Sequence, residues 1–190
     1  MPRVFLALNF SVAVTRKIAE EVERHKAAMS GAGFRVAWVP AANLHLTLKF
    51  LGTVGEELVE GITGACKRVA MRHAPFEARA GGLGAFPSLQ QPSVLWVGVE
   101  ASPALAALQR DVEAAMVALG FDREERPYHP HVTVGRVKES RGSGEELWRG
   151  DAACGSSPLA EIIVYESRTR SAGAEYVARA RVPLGMKETG

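Results

Sequence analysis

One phrase of sequence is written twice in this chain: His45-Leu46-Thr47-Leu48 and His131-Val132-Thr133-Val134. In each copy a histidine and a threonine stand two residues apart, with β-favouring apolar residues in the alternate positions. That is strand spacing, so His and Thr of one copy share a face and the apolar residues take the other. With five His and seven Thr in the chain, chance gives about 0.2 His-x-Thr segments. Either copy alone reads as a half-buried strand carrying a hydrogen-bonded histidine. Two copies point instead to a shared site in which each strand contributes one imidazole and one hydroxyl.

The rest of the chain supplies scaffolding of matching kind. Strands are expected at Arg3 to Asn9, Phe34 to Val39, 44 to 51, Phe76 to Phe86, Ser93 to Glu100, His129 to Val137, Leu159 to Thr169 and Ala174 to Leu184. Gly81-Gly82 should bend the fourth of these, and Ser171-Ala172-Gly173 should turn the last pair. Helices are expected after Ser11, from Gly55 to about Arg72, and from Ala104 to Leu119 behind Ser102-Pro103. Glu145 to Arg149 reads as a short helix in a Gly/Ser-rich connection, and Met186 to Gly190 as a fraying tail. His25 reads as a solvated helix residue, and His73 as an imidazole meeting the carbonyls at a helix end. Several strands follow one another directly, so a purely parallel doubly wound sheet fits poorly. The fold class is α+β: a bilobed, duplicated fold with two antiparallel sheets, helices on the outer faces and a central active-site cleft. No linker separates the halves, so residues 1–190 form a single bilobed domain.

Composition narrows the partners. A net charge of +2 does not suit a protein that coats long nucleic acid, yet permits a cationic pocket for one or two phosphates. No segment approaches the roughly 20 apolar residues that span a bilayer, and the N-terminal apolar run has strand length and no cleavage site. Cys66 and Cys154 form no CxxC pair and read as packing residues in a reducing compartment. The expectation is a cytoplasmic monomer without membrane contact.

Two imidazoles facing one pocket can act as complementary acid and base near neutral pH, because the ordinary pKa of histidine is about 6.5. Neighbouring hydroxyls can donate hydrogen bonds to a tetrahedral anion. Transfer at phosphorus needs that set and requires neither metal nor cofactor. Arg136 can add a guanidinium fork if a bulge at Gly135 corrects its parity. Lys49 shares parity with His45 and Thr47 but reads as a solvated strand-end charge. Tyr128 reads as packing, with stacking on a base the other reading. His129-Pro130-His131 resembles a metal clip, but no third ligand follows at ligand spacing, and His129 is left without a role.

At these residues the sequence resembles the 2H phosphoesterases, and within them the bacterial and archaeal RNA 2′,3′-cyclic phosphodiesterases, also called 2′-5′ RNA ligases. The likeness runs from Arg3-Val4-Phe5-Leu6-Ala7-Leu8 through Asn43-Leu44-His45-Leu46-Thr47-Leu48-Lys49-Phe50-Leu51-Gly52 and Pro130-His131-Val132-Thr133-Val134-Gly135-Arg136 to Val164-Tyr165-Glu166-Ser167. The resemblance implies metal-independent hydrolysis of 2′,3′-cyclic phosphate ends of RNA or nucleotides to 2′-phosphomonoesters, and the reverse 2′-5′ joining of RNA without ATP. By that likeness His45 and Thr47 form the first half-site and His131 and Thr133 the second, with Arg136 matching the arginine that often follows the second motif; we take His45 as the proton donor and His131 as the proton acceptor, roles that the symmetric motif leaves exchangeable, with Thr47, Thr133 and Arg136 binding substrate. Two other readings stay open: a phosphodiesterase for another small cyclic phosphate nucleotide, and a binder of phosphorylated RNA ends without turnover.

Overall fold

A computed structural model describes residues 1–170 and 173–185. Nine strands and three helices follow the order β1 (Arg3–Leu8), α1 (Val12–Gly31), β2 (Arg35–Trp38), β3 (Leu46–Thr53), α2 (Glu56–Ala70), β4 (Phe76–Pro87), β5 (Pro92–Val99), α3 (Pro103–Ala118), β6 (His131–Glu139), β7 (Gly150–Leu159), β8 (Glu161–Arg170) and β9 (Gly173–Pro183). The expected turn at 171–173 and tail at 186–190 lie largely or wholly outside the described residues.

The helices begin where side chains can cap them. Ser11 Oγ accepts from the Val14 amide and Ser102 Oγ from the Leu105 amide, satisfying donors that a helix N-terminus leaves free. Their apolar stripes, such as Ile18 and Val22 in α1, Ile62 and Cys66 in α2, and Leu105 and Val112 in α3, are buried in one core shared with the strands.

All strands pair antiparallel, in the order β7-β4-β5-β6-β3-β1-β8-β9, with β2 alongside β6. Where two sheets were expected there is one nine-stranded sheet, whose two parts, its lobes, are β7-β4-β5-β6 and β3-β1-β8-β9. They meet edge to edge at a single register pair, Leu46 with Val132. Past that point β6 gives its edge to β2, with Trp38 opposite Gly135. The lobes do not correspond to the halves of the chain. Both ends of the sequence build the β3-β1-β8-β9 lobe, because β1 pairs with β8 across more than 150 residues, while the middle of the chain builds the other.

Three local expectations fail. Gly150–Leu159 is a strand along the edge of β4, although its small, Gly- and Ser-rich sequence has little strand propensity; pairing with β4 and cover from α1 decide it. The segment 145–149 makes one turn closed by Trp148 N to Gly144 O and does not continue as a helix. His25 is half-buried rather than freely solvated: its Nδ1 lies 2.9 Å from Glu21 O and its ring stands 5.1 Å edge-on to Trp148, which is itself fully buried. His73 is structural as expected, but its Nε2 meets Asp111 Oδ2 at 2.9 Å and ties the end of α2 to α3.

Candidate active site

The Leu46–Val132 pair brings the two copies of the motif together. One step either way along antiparallel strands sets His45 alongside Thr133 and Thr47 alongside His131. Both histidines and both threonines are half-buried, while Leu46, Leu48, Val132 and Val134 are buried in the core. The period-two expectation therefore holds through both motifs.

Immediately after each threonine the strand bulges. In β3, Thr47 is opposite Ala7 but Lys49 is opposite Leu6; in β6, Thr133 is opposite Trp96 but Gly135 is opposite Leu95. One extra residue reverses parity. The bulge carries the exposed Arg136 to the face of His131 and Thr133, and its guanidinium is close enough to disfavour protonation of His131. The same slip turns Lys49 the other way. Instead of a solvated charge it is 7% exposed and buried against α3, with Nζ 2.8 and 2.9 Å from the Glu113 carboxylate and 2.9 Å from Asp122 O. Phe50, the counterpart of Arg136, stands 66% exposed on the face of His45.

Each imidazole is fixed by the backbone two residues before it. His45 Nδ1 lies 2.7 Å from Asn43 O, and His131 Nδ1 lies 2.6 Å from His129 O. A carbonyl oxygen only accepts, so both Nδ1 atoms carry hydrogen and both Nε2 atoms are left for proton transfer. Aromatic rings wall both sides. Phe5 lies 4.8 Å and Tyr176 5.2 Å from His45; Phe86 lies 5.0 Å and Trp96 6.2 Å from His131. These rings come from four strands, and tertiary pairing brings them to the histidines.

Burial is the main cause that lowers the pKa of both histidines. The Asn43 carbonyl partly offsets it at His45, where the charge of His131 adds to the lowering. At His131 the His129 carbonyl offsets it, and His129 and Arg136 add to it. The ring centroids of His129 and His131 stand 6.4 Å apart, and among the described residues no group of three or more His, Cys, Asp or Glu is placed to hold a metal ion. Tyr128 is half-buried and its hydroxyl donates to Thr47 O at 2.9 Å, so the loop that leads into the second motif is tied to the first.

Paired imidazoles, two hydroxyls and a guanidinium on one face of the sheet can serve acid–base chemistry on an oxyanion. The chain belongs to the 2′-5′ RNA ligase superfamily, whose family model matches residues 14–149 and so includes both motifs. It is 34% identical over 180 residues to the RNA 2′,3′-cyclic phosphodiesterase of Methanothermobacter thermautotrophicus, covering 92% of this chain and 94% of that one. It is 35% identical over 147 residues to the protein of the same name from Thermotoga maritima, covering 76% and 75%. Among solved structures, TT0787 of Thermus thermophilus superposes with a TM-score of 0.80 at 25% identity, covering 96% of this chain and 98% of that one. Escherichia coli LigT complexed with 3′-AMP gives 0.78 at 24% identity over 97% and 99%, a likeness of fold.

Proposed function

We propose that the protein hydrolyses 2′,3′-cyclic phosphate ends of RNA or nucleotides to 2′-phosphomonoesters, with His131 as proton acceptor and His45 as proton donor. The observation that carries the reading is the Leu46–Val132 register pair, which sets two backbone-anchored imidazoles on one face with a threonine beside each. The names of the relatives support the substrate class. Water attacks phosphorus and gives a proton to Nε2 of His131. The bond from phosphorus to the 3′ oxygen breaks, and that oxygen takes the proton on Nε2 of His45. Thr47, Thr133 and Arg136 hold the remaining phosphate oxygens. Burial favours neutral His131, as a base requires, and the anionic substrate favours the imidazolium of His45. Reversal, with a 5′-hydroxyl in place of water, joins RNA through a 2′-5′ linkage.

The chain acts in this reading as one bilobed domain over residues 1–190 and as a monomer, supported by a core that runs through both lobes. A cytoplasmic setting is supported by two buried free cysteines, the Cys66 thiol being pushed up to about 12 by burial. Among the described residues no helix is long and apolar enough to cross a membrane.

The test is incubation of the protein with a nucleoside 2′,3′-cyclic phosphate in excess EDTA, with the product identified by phosphorus NMR. A 2′-phosphomonoester is expected. A 3′-phosphomonoester keeps the histidine pair but reverses the leaving side, and no turnover here or on a cyclic-ended oligomer overturns the reading.

A further inference from the structure

Little backbone holds the seam between the two lobes. β3 and β6 share one register pair, Leu46 with Val132, and β6 begins at His131. Beyond Thr47 the chain that reaches β3 on this side is therefore no strand but the loop from Leu119 to Pro130, and side chains fasten it. Lys49 Nζ donates to Asp122 O at 2.9 Å, and the Tyr128 hydroxyl donates to Thr47 O at 2.9 Å. Burial pushes the Tyr128 phenol above its ordinary pKa, so the hydroxyl keeps its proton and stays a donor.

The same loop carries the anchor of the second histidine. His129 O, one residue after Tyr128, lies 2.6 Å from His131 Nδ1 and sets the tautomer and direction of that ring. Pro130 follows with its fixed φ, and its carbonyl accepts from Val99 N at 3.0 Å. The segment 128–131 is thus pinned to β5 through Pro130 and to β3 through Tyr128, one lobe on each side. The first histidine is held differently. Asn43, whose carbonyl orients His45, donates its side-chain amide to Ala174 O at 2.7 Å, inside its own lobe. The Tyr128 hydroxyl therefore ties the backbone of one motif to the segment that aims the imidazole of the other.

We propose that Tyr128 is a positioning residue: through its bond to Thr47 O it fixes the His129 carbonyl, and with it the His131 imidazole, relative to His45. The role rests on the phosphodiesterase reading above, in which two imidazoles serve one phosphorus and a small misplacement of either lowers the rate.

Tyr128→Phe removes the hydroxyl and keeps the ring. On a nucleoside 2′,3′-cyclic phosphate its kcat should fall about 10- to 100-fold, the scale that misplacing a reacting group produces, with KM and circular dichroism little changed. In a His131→Ala background the same substitution should lower kcat no further, because the ring it acts through is gone. An unchanged kcat, a rise in KM alone, or an equal fall with and without His131 overturns the role. Nitrogen NMR of the imidazoles needs no turnover. Tyr128→Phe should speed solvent exchange of the His131 Nδ1 proton and leave that of His45 as it is; equal changes at both rings, or none, overturn the proposal. If the wild type hydrolyses no cyclic phosphate, the phosphodiesterase reading fails, and the exchange measurement decides by itself whether Tyr128 holds His131. Should Tyr128→Phe not fold, native-state exchange on the wild type decides: the Tyr128 hydroxyl and His131 Nδ1 protons should open together in one local unfolding, and separate openings overturn the tie.

Discussion

Lys49 and Glu113 form a buried ion pair that joins the strand of the first motif to the helix preceding the second. Both carboxylate oxygens lie within 2.9 Å of Nζ, and Glu113 Oε1 also accepts the Glu124 amide at 2.9 Å. Glu113→Leu strands a charge that is 7% exposed and should destabilise the fold by about 3–5 kcal/mol, whereas Lys49→Met combined with Glu113→Leu should cost much less. Denaturant unfolding of the three proteins checks this; equal losses in single and double variants would show that the pair is not the cause.

In the proposed mechanism, removing either imidazole removes an acid or a base. His45→Ala and His131→Ala should each lower kcat by about 10²- to 10⁴-fold with circular dichroism unchanged. In that mechanism the two groups act in one step, so the double variant should be little slower than the slower single. Two rate losses that multiply would show that they act independently.

Burial sets the pH dependence. Both histidines titrate below their ordinary 6.5 in the folded chain, so the unfolded chain binds more protons in the window between the folded values and 6.5. Stability therefore rises as pH is raised through that window and is lost as pH falls through it. The fall should be shallower in His45→Ala, as unfolding midpoints at about pH 5 and pH 8 will measure. The bell of kcat/KM should have both limbs displaced to the acid side. A basic limb above about pH 8 would assign the acid to another group.

Gly135 allows the strand of the second motif to lie against β2. A Cβ there would stand 2.8 Å from Val36 Cγ1 and 3.0 Å from the Trp38 ring. Gly135→Ala should cost about 1–3 kcal/mol through overpacking and raise KM by displacing Arg136. Arg136→Lys should raise KM with stability unchanged, since the residue is exposed. A Gly135→Ala enzyme with unaltered KM would separate Arg136 from phosphate binding.

Local chemistry was legible in the sequence wherever a short-range pattern determines it. Strand parity through His45-x-Thr47 and His131-x-Thr133, the caps at Ser11 and Ser102, and the apolar stripes of the helices all follow from periods of two and 3.6 residues. The duplicated motif also announced a two-part site. The site's surroundings were not legible, because they depend on register between distant strands. The bulges after Thr47 and Thr133 exist only relative to β1 and β5, yet they decide that Arg136 turns to the cleft and Lys49 to the core. β7 owes its strand to β4, against the propensity of its own residues. Phe5, Tyr176, Phe86 and Trp96 join the histidines only once the lobes close. Sequence alone thus marked which groups are candidates for the chemistry, since side-chain type and alternation are local. Tertiary structure decided which way they face and what lies beside them, since a one-residue slip in long-range pairing reverses a face.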